Sequence, residues 1–406
     1  MRIIPGRRNW WVVGPGGIAR ISARQVAAEG QLRPSAEKHL RQLGIFSHPP
    51  NRSYFLTVLT STDCNAGCGY CFQNTGQDPS RGARPPRIAH TRLRTEDVEG
   101  VMGFTDRQMA EARVRELVLL LFGGEPLLNP PACRELLIRA ADHGLASAAI
   151  ATNGILLTPA LAEDLSGLGL TTVQVTLDGD RADHDRVRTT RAGRATFDLI
   201  TANIAQASAA GPLKWTIRVN ISRDNQKGIP DLIDRLAHRL DPSSATMVFA
   251  PVSDTGVGYR SGVILAESLA AEFSRWQRCA VDAGFRVPLP RVARPCLVCS
   301  YKAGRYGAVV SADGTLASCW QTAGHPEWVV GNVHDGYMTG PELDRRWTTC
   351  VAAQQHPQDQ AVLTAFGDRV DGGLLDYLSD TGRLHSLPGD GVARDAENSN
   401  AVTGMT

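Results

Sequence analysis

Six apolar, β-prone runs alternate with helical stretches through the first two thirds of this chain, and that alternation leaves few folds open. The runs are Tyr54–Thr60 (YFLTVLT), Leu117–Phe122 (LVLLLF), Ala148–Thr152, Val173–Leu177 (VQVTL), Trp215–Val219 and Ala245–Ala250. Between them the pattern predicts helices from Thr95, near Ala132–His143, after the Thr158-Pro159 cap pair, over Ala195–Ala209 and over Ile229–Arg239. Apolar strands joined by helices and short loops build a parallel sheet. The expected architecture is α/β, a partial (β/α)6 TIM-like barrel over residues 51–250. In such a fold the loops at the C-terminal strand ends carry the chemistry.

Those strand ends hold the unusual residues. The first run leads into Cys64-x3-Cys68-x2-Cys71, three thiols within eight positions of a Gly-containing loop. Zinc favours four closed ligands, and no fourth Cys or His sits nearby. A cubane iron–sulfur cluster held by three thiolates keeps one iron free for an exogenous ligand. The second run ends in Gly123-Gly124-Glu125-Pro126, the third in Thr152-Asn153-Gly154 and the fourth in Asp178-Gly179. Glycines let backbone approach a ligand closely, and Glu125 can accept bonds from an ammonium. Each of these motifs is common alone; their order across four consecutive strand ends is the signal.

Composition sets outer bounds. The chain has 406 residues, 42% hydrophobic and 21% charged, and a formal net charge of +2, too mild a balance to imply nucleic acid. The apolar run Trp10–Val13 is too short for a signal peptide, and no later stretch is long enough to span a bilayer. Nine cysteines, an odd number clustered as ligands, fit a reducing cytoplasm better than a disulfide framework.

The cysteine spacing, with Tyr70 directly before Cys71, resembles the cluster loop of the radical S-adenosylmethionine (radical SAM) enzymes. In that family Cys64, Cys68 and Cys71 would ligate a 4Fe-4S cluster whose open iron holds S-adenosylmethionine. Gly123, Gly124 and Glu125 would face the methionine amino group, Thr152 and Asn153 the ribose, and Tyr70 the adenine. The stretch Asp178-Gly179…His184-Asp185-x-x-Arg188…Thr196-Phe197 resembles the peptide- and protein-modifying branch, in which the residue matching Arg188 binds the cofactor carboxylate. Cys299-x14-Gly314-x4-Cys319 resembles the opening of the SPASM/twitch extension. An auxiliary 4Fe-4S cluster on Cys296, Cys299 and Cys319 is therefore expected in residues 251–350, with a hairpin at Tyr306–Ser311 and Thr315–Trp320. The extension's dense second cysteine group is missing: only Cys350 remains, as a fourth ligand or with the site open to substrate. Cys133 and Cys279 are read as packing residues.

The remaining segments carry weaker signals. Residues 1–50 read as a hairpin (Trp10–Val13, Ile18–Ile21) and a helix near Ser35–Leu43, which caps the barrel or docks a leader peptide. The span Asn74–Arg92 reads as a loop over the site. A helix is expected at Ala266–Ala283, and residues 351–406 form a tail, polar and disordered from Gly389.

The resemblance implies reductive cleavage of S-adenosylmethionine to a 5′-deoxyadenosyl radical, with electrons from an external donor such as flavodoxin or ferredoxin. That radical would abstract hydrogen from a precursor peptide, ending in an oxidative cross-link or similar change. Two alternatives stand beside it: a radical SAM oxidoreductase acting on a small metabolite, and a non-catalytic iron–sulfur or zinc redox or binding protein. The sequence assigns no catalytic acid or base.

Overall fold

The computed structural model describes residues 1–28, 30–48, 50–71, 73, 88–252, 261–292, 295–349, 360–384 and 392–395. Of the expected features, residues 74–87 of the loop over the site, Cys350 and residues 351–359, 385–391 and 396–406 of the tail lie outside them. The chain divides into two compact units: Met1–Pro50 with Ile264–Arg294 and Gln358–Thr406, and Asn51–Val263 with Pro295–Pro357.

The first unit begins with three antiparallel strands, β1 (Arg2–Pro5), β2 (Trp10–Gly14) and β3 (Gly17–Ile21), followed by helix α1 (Pro34–Gln42). Val12, Ala19, Ile21, Leu40 and Ile45 close a small core there.

The second unit holds the large sheet. β4 (Ser53–Ser61) is followed by α2 (Val98–Ala112), β5 (Glu116–Gly123), α3 (Pro130–Asp142), β6 (Leu145–Thr152), α4 (Pro159–Gly167) and β7 (Leu170–Leu177). Then come α5 (Arg181–Val187), α6 (Phe197–Ala210), β8 (Lys214–Ile221), α7 (Ile229–Ala237) and β9 (Ala245–Pro251). Thr158 caps α4 as expected, its hydroxyl accepting from Leu161 N at 3.2 Å. The helix near Thr95 starts three residues later than the sequence implies, because Thr95–Asp97 form a 3-10 turn without a side-chain cap.

Strands β4 to β9 pair in sequence order and all in parallel, as helical crossovers require. Along β5, β7 and β8 fully buried residues alternate with half-buried ones. The buried row is aliphatic apart from Trp215; the half-buried row lines the concave side of a sheet that does not close. Its edges are β9 and a strand added later, so this is a partial barrel.

After α8 (Glu267–Asp282), which belongs to the first unit, the chain returns to the sheet. β10 (Gly307–Val310) pairs in parallel with β4, and β11 (Thr315–Ala317), β12 (Val329–Asn332) and β13 (Gly336–Tyr337) extend it antiparallel. The hairpin expected around Asp313-Gly314 is therefore a continuation of the barrel sheet. Short α9 (Gly340–Arg346) follows.

Two elements of the first unit were not legible in the sequence. Helix α10 (Gln360–Asp380) packs on α8 and β1, and β14 (Val392–Asp395) pairs in parallel with β3 inside the segment read as disordered. α10 carries Gly367, Gly372 and Gly373, poor helix formers. The last two are small for a reason: a Cβ on Gly372 would lie 2.8 Å from Pro5 O, and one on Gly373 2.7 Å from Ser274 Oγ. Arg2 joins Asp368 and Asp371, and Trp11 Nε1 donates to buried Asp376 at 2.9 Å.

Candidate functional site

The loop after β4 carries Cys64, Cys68 and Cys71, and the chain's own backbone fixes it on two sides. Gly67 N donates to Thr189 O at 2.9 Å, Arg191 N to Asn65 O at 3.1 Å, and Ala66 bridges Thr190. On the other side Gly124 N donates to Ser61 O at 2.9 Å and Glu125 N to Asp63 O at 2.8 Å. This close approach explains the paired glycines. A Cβ on Gly123, at φ +133°, would lie 2.1 Å from Ser61 O, and one on Gly124 2.4 Å from Asp63 O.

Glu125 is fully buried and locks three strand ends together. Its Oε1 accepts from Leu127 N (3.0 Å) and Thr152 Oγ1 (2.7 Å), and its Oε2 from Asn153 N (2.7 Å). Burial raises its pKa. Three of about four acceptor positions on the carboxylate are used within the chain. Asn153 then reaches the cysteine loop, with Nδ2 2.7 Å from Asn65 Oδ1 and 3.7 Å from Cys64 Sγ.

Tyr70 is the second junction. Its hydroxyl donates to Asp178, lying 2.6 Å from Oδ2, and accepts from Arg188 Nη1 (2.6 Å) and Asn220 Nδ2 (3.0 Å). One phenol thus joins the ends of β4, β7 and β8 to the segment after α5. The sequence places Tyr70 against an adenine; in the structure its hydroxyl is committed to this network.

The His184-Asp185-x-x-Arg188…Thr196-Phe197 pattern has a structural explanation. Asp185 Oδ1 accepts from Thr196 N (2.8 Å) and Phe197 N (2.9 Å), capping the start of α6. Buried His184 accepts from Asp178 N at Nδ1 (3.3 Å), while Nε2 lies 3.1 Å from Thr196 Oγ1. Thr196 Oγ1 in turn donates to Arg188 O at 2.5 Å. With its one proton spent there, Thr196 accepts from His184 Nε2–H, so the imidazole is neutral. Burial, aided by Arg188, pushes its pKa down to about 3.

Burial raises the thiols: Cys64 to about 12, with Glu125 adding to the effect, and Cys68 to about 11 against the pull of Arg188. A metal ion reverses that balance, because a coordinating thiol is deprotonated outright. Among the described residues no three His, Cys, Asp or Glu side chains close around a single ion. Three thiols on one backbone-tied loop, with no fourth protein ligand beside them among the described residues, fit three corners of an iron–sulfur cubane.

The C-terminal thiols sit around the β10–β11 hairpin. Cys296 and Cys299 precede β10, and Cys319 follows β11 by two residues; Cys299 and Cys319 are buried. Trp347 Nε1 donates to Cys299 O at 2.9 Å. Exposed Trp320, next to Cys319, lies against Phe122 of β5 at 5.9 Å between ring centres. Cys133 is a buried packing residue, as expected.

The sequence reading did not single out Arg218 and Asn220 of β8, or a site role for Asp178. The signal was present: in KWTIRVNI the positions Arg218 and Asn220 put a cation and an amide on one face of an apolar strand.

Comparison with known proteins agrees with this geometry. Residues 58–236 match the model of the radical SAM superfamily. The chain is 33% identical over 126 residues to the AdoMet-dependent heme synthase of Methanosarcina barkeri, covering 31% of each protein. It spans less than half the length of the first three curated relatives it matches. It is 24% identical over 361 residues to the mycofactocin maturase MftC of Mycobacterium ulcerans, covering 85% of this chain and 88% of that one. In fold it is similar to native anSMEcpe with bound AdoMet and Cp18Cys peptide, with a TM-score of 0.58 and 15% identity over 81% of this chain and 99% of that one. Residues 58–236 of this chain are a radical SAM domain.

Proposed function

We propose that this protein is a radical SAM oxidoreductase that matures a peptide. One observation carries the reading: Glu125 and Tyr70 lock the ends of β4 to β7 around the three-thiol loop, so the motifs form one constellation. In this reading Cys64, Cys68 and Cys71 hold a 4Fe-4S cluster. Gly123, Gly124, Glu125, Thr152, Asn153, Tyr70 and Arg188 surround S-adenosylmethionine, with the Arg188 guanidinium toward its carboxylate. When bound, that pair supplies one-electron cleavage and a carbon-centred radical that takes hydrogen from an unactivated C–H bond.

The chain's own part is positioning. Tyr70 orients Arg188, Glu125 sets the strand-end backbone, and the concave side of the sheet receives substrate. Cys296, Cys299 and Cys319 would hold an auxiliary cluster able to take the second electron of an oxidation. Residues 51–250 are the catalytic barrel, 251–350 carry the auxiliary cysteines, and residues 1–50 are the N-terminal hairpin and helix unit. The reading includes an external one-electron donor and a cytoplasmic location. It is supported by the maturase relative, which matches over most of its length. Among the described residues no helix is long and apolar enough to cross a membrane.

The test is anaerobic iron and sulfide content of wild type and of a Cys64/Cys68/Cys71→Ala variant. About eight irons in wild type and about four in the variant are expected. A variant without iron removes the auxiliary cluster from the reading. Substrate class is tested by incubating reconstituted enzyme with the short peptide encoded beside its gene, where one exists. A mass loss of two hydrogens is expected; an unmodified peptide with ready cofactor cleavage points to a small metabolite.

A further inference from the structure

The concave face of the barrel sheet is two-sided in its chemistry. Strand register shows which residues share that face: Phe55 with Val118, Thr57 with Leu120, Leu59 with Phe122, and across the sheet Gln174 with Thr216 and Thr176 with Arg218. At β4 and β5 this wall is mostly apolar. At β7 and β8 it is polar, and it carries a cation. Asn220 confirms which side this is: it hydrogen-bonds Tyr70, which belongs to the loop after β4, four strands away. Residues of β8 reach that loop only across the concave side.

Arg218 is unusual there. Its Nε donates to Asn220 Oδ1 at 2.9 Å, and its other N–H groups have no partner among the described residues. No carboxylate of the described chain forms an ion pair with it. The nearby acid, Asp178, is taken up by the Tyr70 hydroxyl. Burial lowers its pKa, against the pull of Tyr70 and Asp178. A guanidinium has five donors in a fixed fork, and a half-buried one with a single bond is under-used. Arg188 also lacks an ion-pair partner in the described chain, but the proposed function already assigns it to the cofactor.

We propose that Arg218 binds a carboxylate of the substrate, holding it on the polar wall formed by β7 and β8. This rests on the functional reading above, which makes the concave side the reaction chamber. The geometry suits that role, because Asn220 fixes the guanidinium through Nε and leaves both Nη groups for a two-point bond to a carboxylate. Through Asn220 and Tyr70 the same chain of bonds reaches Arg188, so substrate and cofactor anions would be read by one connected network. The carboxylate can belong to a peptide side chain or to a free acid.

The test is calorimetric titration of anaerobically reconstituted, S-adenosylmethionine-loaded wild type, R218K and R218Q with three probes. These are N-acetyl-glutamate N-methylamide, N-acetyl-glutamine N-methylamide, and succinate. The expected result is that a carboxylate probe binds wild type at least tenfold tighter than the glutamine probe does. That preference is lost in R218Q and partly kept in R218K, with near-native circular dichroism for both. Preference for the glutamate probe over succinate indicates a peptide carboxylate; equal or better binding of succinate indicates a free acid. Carboxylate binding that R218Q leaves unchanged, or that never exceeds the glutamine probe, overturns the inference. Cofactor binding to wild type is measured first by equilibrium dialysis. If it is absent, the functional reading fails; if it is present without carboxylate preference, only the role of Arg218 fails.

Discussion

The Tyr70 hydroxyl lies 2.6 Å from Arg188 Nη1 and 2.6 Å from Asp178 Oδ2, so a phenol stands between a buried guanidinium and a buried carboxylate that do not pair directly. That arrangement keeps Arg188 oriented without neutralising it. Y70F removes the shared hydroxyl and leaves Asp178 short of a donor, at a stability cost of about 1–3 kcal/mol. The affinity for S-adenosylmethionine should fall about tenfold, equivalent to ~1.4 kcal/mol. Equilibrium dialysis on reconstituted Y70F checks it, and unchanged affinity would show that Arg188 needs no such support.

Gly123 tolerates no side chain. Its φ of +133° and the 2.1 Å approach of a Cβ to Ser61 O both penalise G123A. Strain of this kind costs about 1–3 kcal/mol. Melting should shift down by several degrees, and less iron should be retained after reconstitution, since the cysteine loop begins at Ser61. A native melt and full iron content for G123A would refute the close-approach account.

Glu125 should behave as a buried acceptor that cannot be replaced by an amide. E125Q turns an NH2 group toward donors now satisfied by Oε1 or Oε2. The loss expected for unsatisfied buried groups is about 1–3 kcal/mol. Chemical denaturation measures it. E125Q as stable as wild type would mean that the carboxylate is not the tie between β5 and β6.

His184 gives stability a pH dependence. Its folded pKa of about 3 lies below the unfolded value near 6.5, so the unfolded state binds more protons between them. The contribution is complete above about pH 6.5 and is lost as pH falls toward about 3. Over that window the loss is on the order of 3–5 kcal/mol. Melting temperatures of wild type should drop through this range, and H184Q should show a flatter profile from a lower starting point. Parallel profiles would exclude His184 as the titrating group.

Capping of α6 by Asp185 is a smaller effect. D185A removes the acceptor for Thr196 N and Phe197 N and should cost ~1 kcal/mol, read by denaturant midpoint. D185N should recover most of it.

The order of β4 to β9 and the place of every motif at a strand end follow from local sequence alone. Apolar runs such as LVLLLF, broken by capped helices, admit little but a parallel sheet, and Cys-x3-Cys-x2-Cys needs only a short loop to act as a ligand set. What the sequence could not carry were relations between segments far apart in the chain. Tyr70 meets Asn220 across 150 positions, and the partner-poor state of Arg218 depends on which carboxylates the fold brings near it. Helix α10 was hidden because its glycines lower helix propensity, and only packing against Pro5 and Ser274 explains Gly372 and Gly373. Periodicity records which face a residue takes; the charges and donors it meets there are settled by tertiary pairing, through burial and hydrogen-bond geometry.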